Sequence, residues 1–171
     1  MKKPAIMKRV NSSGGIIFRV SRRIESTIGS VAEVALVAVN SQRKGFSKRT
    51  NKKIIWCLPK GIIDKNEDSR ATAIREVKEE TGLLGDIIDE IGKISYWYFV
   101  KSENTQLHKT VHFYLMKYCE GSTDNHDNEV DDAQWFPINE AIEKLTHKGE
   151  REILQKAEKM IKQILDANGA S

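Results

Sequence analysis

Between Gly61 and Leu83 the chain places several glutamates at helical spacing, and this stretch limits the fold more than any other. Asp68 to Thr81 has helical character and stops at Gly82, a good C-cap residue. Each helical residue advances the side chain by about 100°. With Glu76 at zero, Glu79 lies near ~300° and Glu80 near ~40°, so three carboxylates share one face. Ala73, Ile74 and Val77 fall near ~60°, ~160° and ~100° and make an adjoining apolar face. One side of this helix therefore packs on a sheet, and the carboxylates sit beside that contact. Clustered carboxylates repel, and like charges at i,i+4 weaken a helix. Helix geometry alone leaves two readings open. The glutamates are solvated surface charges softened by Arg75 and Lys78, or they are ligands for hard divalent cations, which prefer oxygen donors. In the second reading Gly61 lets a backbone carbonyl and Lys60 approach the same place.

The rest of the chain supplies the sheet. Strands are expected over Ser12–Val20, Ala32–Val39, Ile54–Leu58, Lys109–Tyr118 and Ala133–Phe136, with one long or two short strands over Ile87–Val100. Pro137 opens a helix that runs through Leu145. A final amphipathic helix over Glu150–Leu165 carries Ile153, Leu154, Ala157, Met160, Ile161 and Ile164 at helical spacing. Strands, helix, strands and two helices make an α/β chain, a mixed sheet with helices on its faces rather than a regular doubly wound fold. Asn40–Lys53 reads as a basic loop and Gly121–Asp132 as an acidic one. Residues 1–10 are expected as a basic N-terminal tail, 11–167 as one domain and 168–171 as a C-terminal tail.

A length of 171 residues suits one domain with a real core, and 39% hydrophobic with 30% charged residues argues against disorder. No run of about 18 apolar residues occurs, and Met1–Val10 lacks an apolar segment of signal-peptide length. A cytoplasmic protein without membrane contact is expected. Cys57 and Cys119 lie in apolar, strand-like runs and are expected as buried free thiols. Two cysteines and four scattered histidines form no zinc pattern. The net charge of +4 hides an asymmetry. Met1–Lys60 holds 14 Lys+Arg and 2 Asp+Glu, a net +12, whereas the remainder holds 14 and 22, a net −8. A basic half beside an acidic half suits a site for both a polyanion and cations, and solvated lysine-rich loops are the alternative.

The full spacing adds to the helix geometry. Gly61, Glu67, Arg75-Glu76-Val77, Glu79-Glu80 and Gly82-Leu83 resemble the Nudix box at every specified position. The residue before the box glutamate is often glycine and here is Asn66, which tolerates left-handed backbone geometry. The resemblance implies the Nudix fold, a mixed sheet between helices, and Mg2+-dependent hydrolysis of a nucleotide pyrophosphate, with Mn2+ as a substitute ion. It also implies roles. Glu76, Glu79 and Glu80 would be metal ligands together with the Gly61 carbonyl. Arg75 would orient the carboxylates, and Glu67 would support them. The catalytic base would be Glu79, Glu80 or a later-loop glutamate, for which Glu129 is suitably placed; otherwise Glu129 is one more solvated acid.

Further segments are similar to the diadenosine polyphosphate hydrolases of that family. They are Ser13–Phe18, Leu58–Gly61, Ser95–Phe99 followed by Lys109–Val111, and Asp132–Pro137. The implied reaction splits diadenosine tetraphosphate into ATP and AMP. Tyr96 and Tyr98 alternate on one strand face and suit stacking on adenine, unless these aromatics and the opposing Trp97 and Phe99 simply fill the core. Lys60 and Lys109 suit pairing with the phosphate chain. The longer connections Arg19–Ala32 and Ser41–Lys53 keep two other substrates open, an oxidised nucleoside triphosphate and a triphosphorylated RNA 5′ end. A non-catalytic Nudix-fold binding protein is disfavoured because no box carboxylate is missing. The expected partner is a nucleoside polyphosphate, with nucleic acid not favoured and the chain a monomer or homodimer.

Overall fold

The computed structural model describes residues 6–22, 30–40 and 53–169. Its elements are β1 (Ile6–Arg22), β2 (Ser30–Asn40), β3 (Ile54–Cys57), β4 (Lys60–Ile62), α1 (Ser69–Thr81), β5 (Leu83–Val100), β6 (Thr105–Gly121), β7 (Asp132–Pro137), α2 (Ile138–Lys144) and α3 (Lys148–Gly169). The main path of the sheet runs β3-β2-β1-β6-β5, with β4 also paired to β1 and β7 to β2. β1 and β6 pair in parallel and the other pairs are antiparallel, so the sheet is mixed as expected.

Strand alternation divides the core in two. Ile16, Phe18, Val34, Leu36, Val111, Phe113 and Leu115 point to one face, where α2 and α3 cover them with Ala141, Leu145, Ile153, Leu154, Ala157 and Ile161. Ile17, Ala35, Tyr114 and Met116 point to the other, where α1 packs with Ala73 and Val77. Helices thus lie on both faces, the sandwich that the sequence pattern implies. Ile74 departs from expectation and is exposed. Its direction on the helix lies too far round from Ala73 and Val77 to reach the sheet.

Three other expectations change, and one open alternative closes. Residues 6–10 are not a tail but the start of β1, where Ile6–Val10 pairs with Thr105–Lys109. α3 likewise continues to Gly169, into the stretch expected as the C-terminal tail. Cys57 is buried, but Cys119 is exposed, because it lies beyond the part of β6 that the helices cover, and its thiol donates to Asp86. Trp97 and Phe99 are not core residues, since half of each side chain meets solvent. Most of the basic loop 40–53 lies outside the described residues. Among those described, no helix is long and apolar enough to cross a membrane.

Candidate active site

The glutamate helix starts where Asp68 accepts a hydrogen bond from Ala71 N (2.8 Å) and ends where Gly82 turns left-handed (φ 73°) and donates to Lys78 O. The preceding loop turns through Asn66 at φ 70°, so asparagine does supply the left-handed geometry. The loop is closed by Glu67 N donating to Asp64 O (3.0 Å). Thr72 Oγ1 then donates to Glu67 Oε2 (2.6 Å), which ties the loop to the helix.

Arg75 gathers the acids. Its Nε and Nη2 donate to the two oxygens of Glu67 (3.0 and 2.9 Å), and its Nη1 donates to Glu76 (2.6 Å) and Glu79 (3.0 Å). Nη2 also reaches Ile62 O (3.2 Å). Hydrogen bonds from Arg75 and then Thr72 hold the Glu67 carboxyl down to about 2. Glu76 is different. Burial pushes its carboxyl up, Arg75 opposes this, and the charges of Glu79 and Glu129 push it up further. Acids crowded this way gain when a cation arrives.

Position on the helix sorts the three glutamates. Glu76 and Glu80 face β4 and are buried, whereas Glu79 is rotated outward and its side chain is 47% exposed. Glu80 Oε2 accepts Lys60 N (3.0 Å). A Cβ on Gly61 would overlap the Glu76 carboxyl, so only glycine lets β4 approach α1 this closely. That cradle, with an all-oxygen donor set, fits a hard divalent cation. Among the described residues, no three acidic or histidine side chains already converge at coordination distance. The Arg75 guanidinium instead spans Glu67, Glu76 and Glu79.

The outer residues are placed as follows. Glu129 is exposed beside the buried Val130, near enough for Glu76 to feel its charge. Its loop is tied to α1 by Asp127 N donating to Glu79 O (2.8 Å). An open cavity of about 640 Å³ runs along this side, bordered by Ile74, Arg75, Lys78, Glu79 and Asp127. Tyr96 and Tyr98 share one face of β5, with ring centroids 6.1 Å apart, and each is about 40% exposed. Lys109 pairs with Tyr96 across the strands. Trp97 stacks on His108 on the opposite face (4.5 Å).

Lys60 does not project toward solvent as a phosphate ligand. Its ammonium pairs with Glu150 (2.7 Å), donates to Leu58 O (3.0 Å) and is almost fully covered. Burial works against this charge, yet Glu150 outweighs it and holds the ammonium protonated. Glu150 is the residue that sequence reasoning missed as part of the site's surroundings. It looks like an ordinary helix-start acid, and its contact at Leu58 is 92 positions away.

A model of the NUDIX domain matches residues 32–157. The chain belongs to the Nudix family. Over 133 residues this Nudix chain is 36% identical to the protein designated MutT4 from Mycobacterium tuberculosis (strain CDC 1551 / Oshkosh), covering 78% of this chain and 50% of that one. It is 27% identical over 147 residues to an 8-oxo-(d)GTP phosphatase from Mycolicibacterium smegmatis, covering 86% and 41%. The chain thus spans half or less of the length of these curated relatives. Among solved structures, a C. elegans Ap4A hydrolase binary complex matches with a TM-score of 0.60 at 18% identity, covering 90% of this chain and 98% of that one. A mutT/nudix family protein from Listeria innocua matches at 0.62 and 17%, covering 91% and 96%. At these identities the structural likeness speaks to the Nudix fold.

Proposed function

We propose that this Nudix chain is a divalent-cation-dependent pyrophosphohydrolase of nucleoside polyphosphates, with diadenosine tetraphosphate split into ATP and AMP as its leading reaction. The observation that carries the reading is the assembled box. Gly61 lies against the Glu76 carboxyl, Glu80 is fixed by Lys60 N, and Arg75 joins Glu67, Glu76 and Glu79. Glu76, Glu79, Glu80 and the Gly61 carbonyl would hold the ions, Mg2+ by preference and Mn2+ in its place. When bound, such ions neutralise pyrophosphate oxygens and lower the pKa of water.

The protein's own groups supply the rest. Arg75 keeps the carboxylates in one orientation before substrate arrives, which lowers the reorganisation needed during reaction. Glu79 is the exposed box acid and Glu129 the exposed loop acid. Either can take a proton from the attacking water, with Glu80 a more enclosed third candidate. The water oxygen bonds to phosphorus, the bridging oxygen leaves with its electron pair, and the released products carry the proton. Tyr96 and Tyr98 offer a partly exposed aromatic face for adenine, and Lys109 lies across from Tyr96 to meet the phosphate chain. The similarity to the 8-oxo-(d)GTP phosphatase over 86% of the chain favours a second reading, an oxidised nucleoside triphosphate as substrate.

The test is a substrate panel with Mg2+ and product analysis. It holds diadenosine tetraphosphate, 8-oxo-dGTP, a nucleoside diphosphate sugar and 5′-triphosphorylated RNA. ATP and AMP in equal amounts from the first substrate are expected. Turnover of 8-oxo-dGTP with none of diadenosine tetraphosphate would replace the leading reaction by the second. No turnover of any member would overturn the enzymatic reading.

A further inference from the structure

The turn from Leu58 to Gly61 is gripped from both faces of the sheet. On the α3 side, Glu150 is 1% exposed in the first turn of its helix, where the helix dipole favours an anion. One of its oxygens accepts Leu58 N (2.9 Å) and the other pairs with Lys60 Nζ (2.7 Å). Lys60 Nζ also donates back to Leu58 O (3.0 Å). Between them, Pro59 has a restricted φ, and its carbonyl accepts Gly15 N (3.2 Å). On the α1 side, the same turn gives Lys60 N to Glu80 (3.0 Å) and sets Gly61 against the Glu76 carboxyl. A chain of contacts therefore crosses the sheet from a buried carboxylate on α3 to two buried carboxylates on α1.

We propose that Glu150 is a positioning residue for Glu76 and Glu80, acting through the Leu58–Gly61 turn. The inference rests on the reading that these glutamates bind divalent cations. A buried ion pair adds little to stability over well-packed apolar residues of the same size, so burial alone does not account for one here. Its geometry accounts for it better. One carboxylate takes a backbone donor from Leu58 and an ammonium from Lys60, and so fixes the distance between these two residues. The two atoms that meet the box acids, Lys60 N and the Gly61 Cα, follow directly. Without Glu150 the turn keeps the Gly15 contact but loses its anchor to α3. Groups that hold metal ligands in place typically affect metal affinity by about 10–100-fold when removed.

The test measures Mn2+ binding to the metal-free full chain, by electron paramagnetic resonance of the free ion and with no substrate present. Glu150→Gln removes the charge on the clamp. Glu150→Gln combined with Lys60→Met removes both charges together, so it is the variant to read if the single one does not fold. Glu152→Gln, an exposed position on the same helix, is the control, and Glu80→Gln marks the effect of losing a ligand. Both Glu150 variants, with native circular dichroism, are expected to bind Mn2+ about 10-fold or more weakly, while Glu152→Gln matches wild type. A purely structural Glu150 would lower the unfolding temperature and leave Mn2+ affinity alone. A folded Glu150 variant binding Mn2+ as wild type does would overturn the proposal. Failure of wild type itself to bind Mn2+ would instead remove the metal reading on which it rests.

Discussion

Arg75 meets three glutamates with one planar group, and its geometry matters as much as its charge. Its nitrogens contact Glu67, Glu76 and Glu79 from fixed directions. A lysine brings one compact charge and cannot span them. Arg75→Lys is therefore expected to keep the fold and lose about 10–100-fold in kcat/KM, read from steady-state kinetics beside a thermal melt. Glu67 gives a pH prediction. Its carboxyl is held down to about 2 from an ordinary 4.5, so folding favours the ionised form. A depressed carboxyl stabilises fully above its unfolded value and loses that contribution as pH falls through the folded one. Wild type should lose stability relative to Glu67→Gln between about pH 4.5 and 2, and a gap in denaturation midpoints that does not change across this window would contradict the assignment.

At the level of elements, local signals were the legible ones. The cap at Asp68, the left-handed Gly82 and the glutamate face of α1 all depend on residues within one helix length, so spacing reveals them. The start of β1 was not legible. Ile6–Val10 is short of apolar alternation and reads as a basic tail, but β6 supplies a partner strand about a hundred residues on. The same distance hid the Lys60–Glu150 pair, which turned an expected phosphate contact into an internal one. Sequence also left open whether Tyr96–Phe99 fill the core. The β5–β6 hairpin carries them past the helices, so they remain partly exposed. Tyr96→Ala and Tyr98→Ala are accordingly expected to raise KM for diadenosine tetraphosphate by about 2- to 12-fold each, the equivalent of ~0.5–1.5 kcal/mol, while leaving unfolding nearly unchanged. A KM equal to wild type in both would remove the aromatic face from the substrate site.

Over the whole molecule, the candidate groups come from separate elements. The crowded acids come from α1 and the loop before it, whereas Tyr96, Tyr98 and Lys109 lie on the β5–β6 pair. The chemistry was more legible than the substrate, because the box is contiguous whereas the candidate substrate residues Tyr96, Tyr98 and Lys109 lie on two strands outside it. On the proposed mechanism, Glu79 and Glu80 serve turnover and not folding. Glu80→Gln retains an oxygen acceptor for Lys60 N, and Glu79 is exposed, so both variants should keep their circular dichroism spectra and melting behaviour. The most direct measurement is the release of ATP and AMP from diadenosine tetraphosphate by each variant with saturating Mg2+. A fall of about 100-fold or more in kcat is expected for each folded variant. Wild-type turnover by both would contradict it.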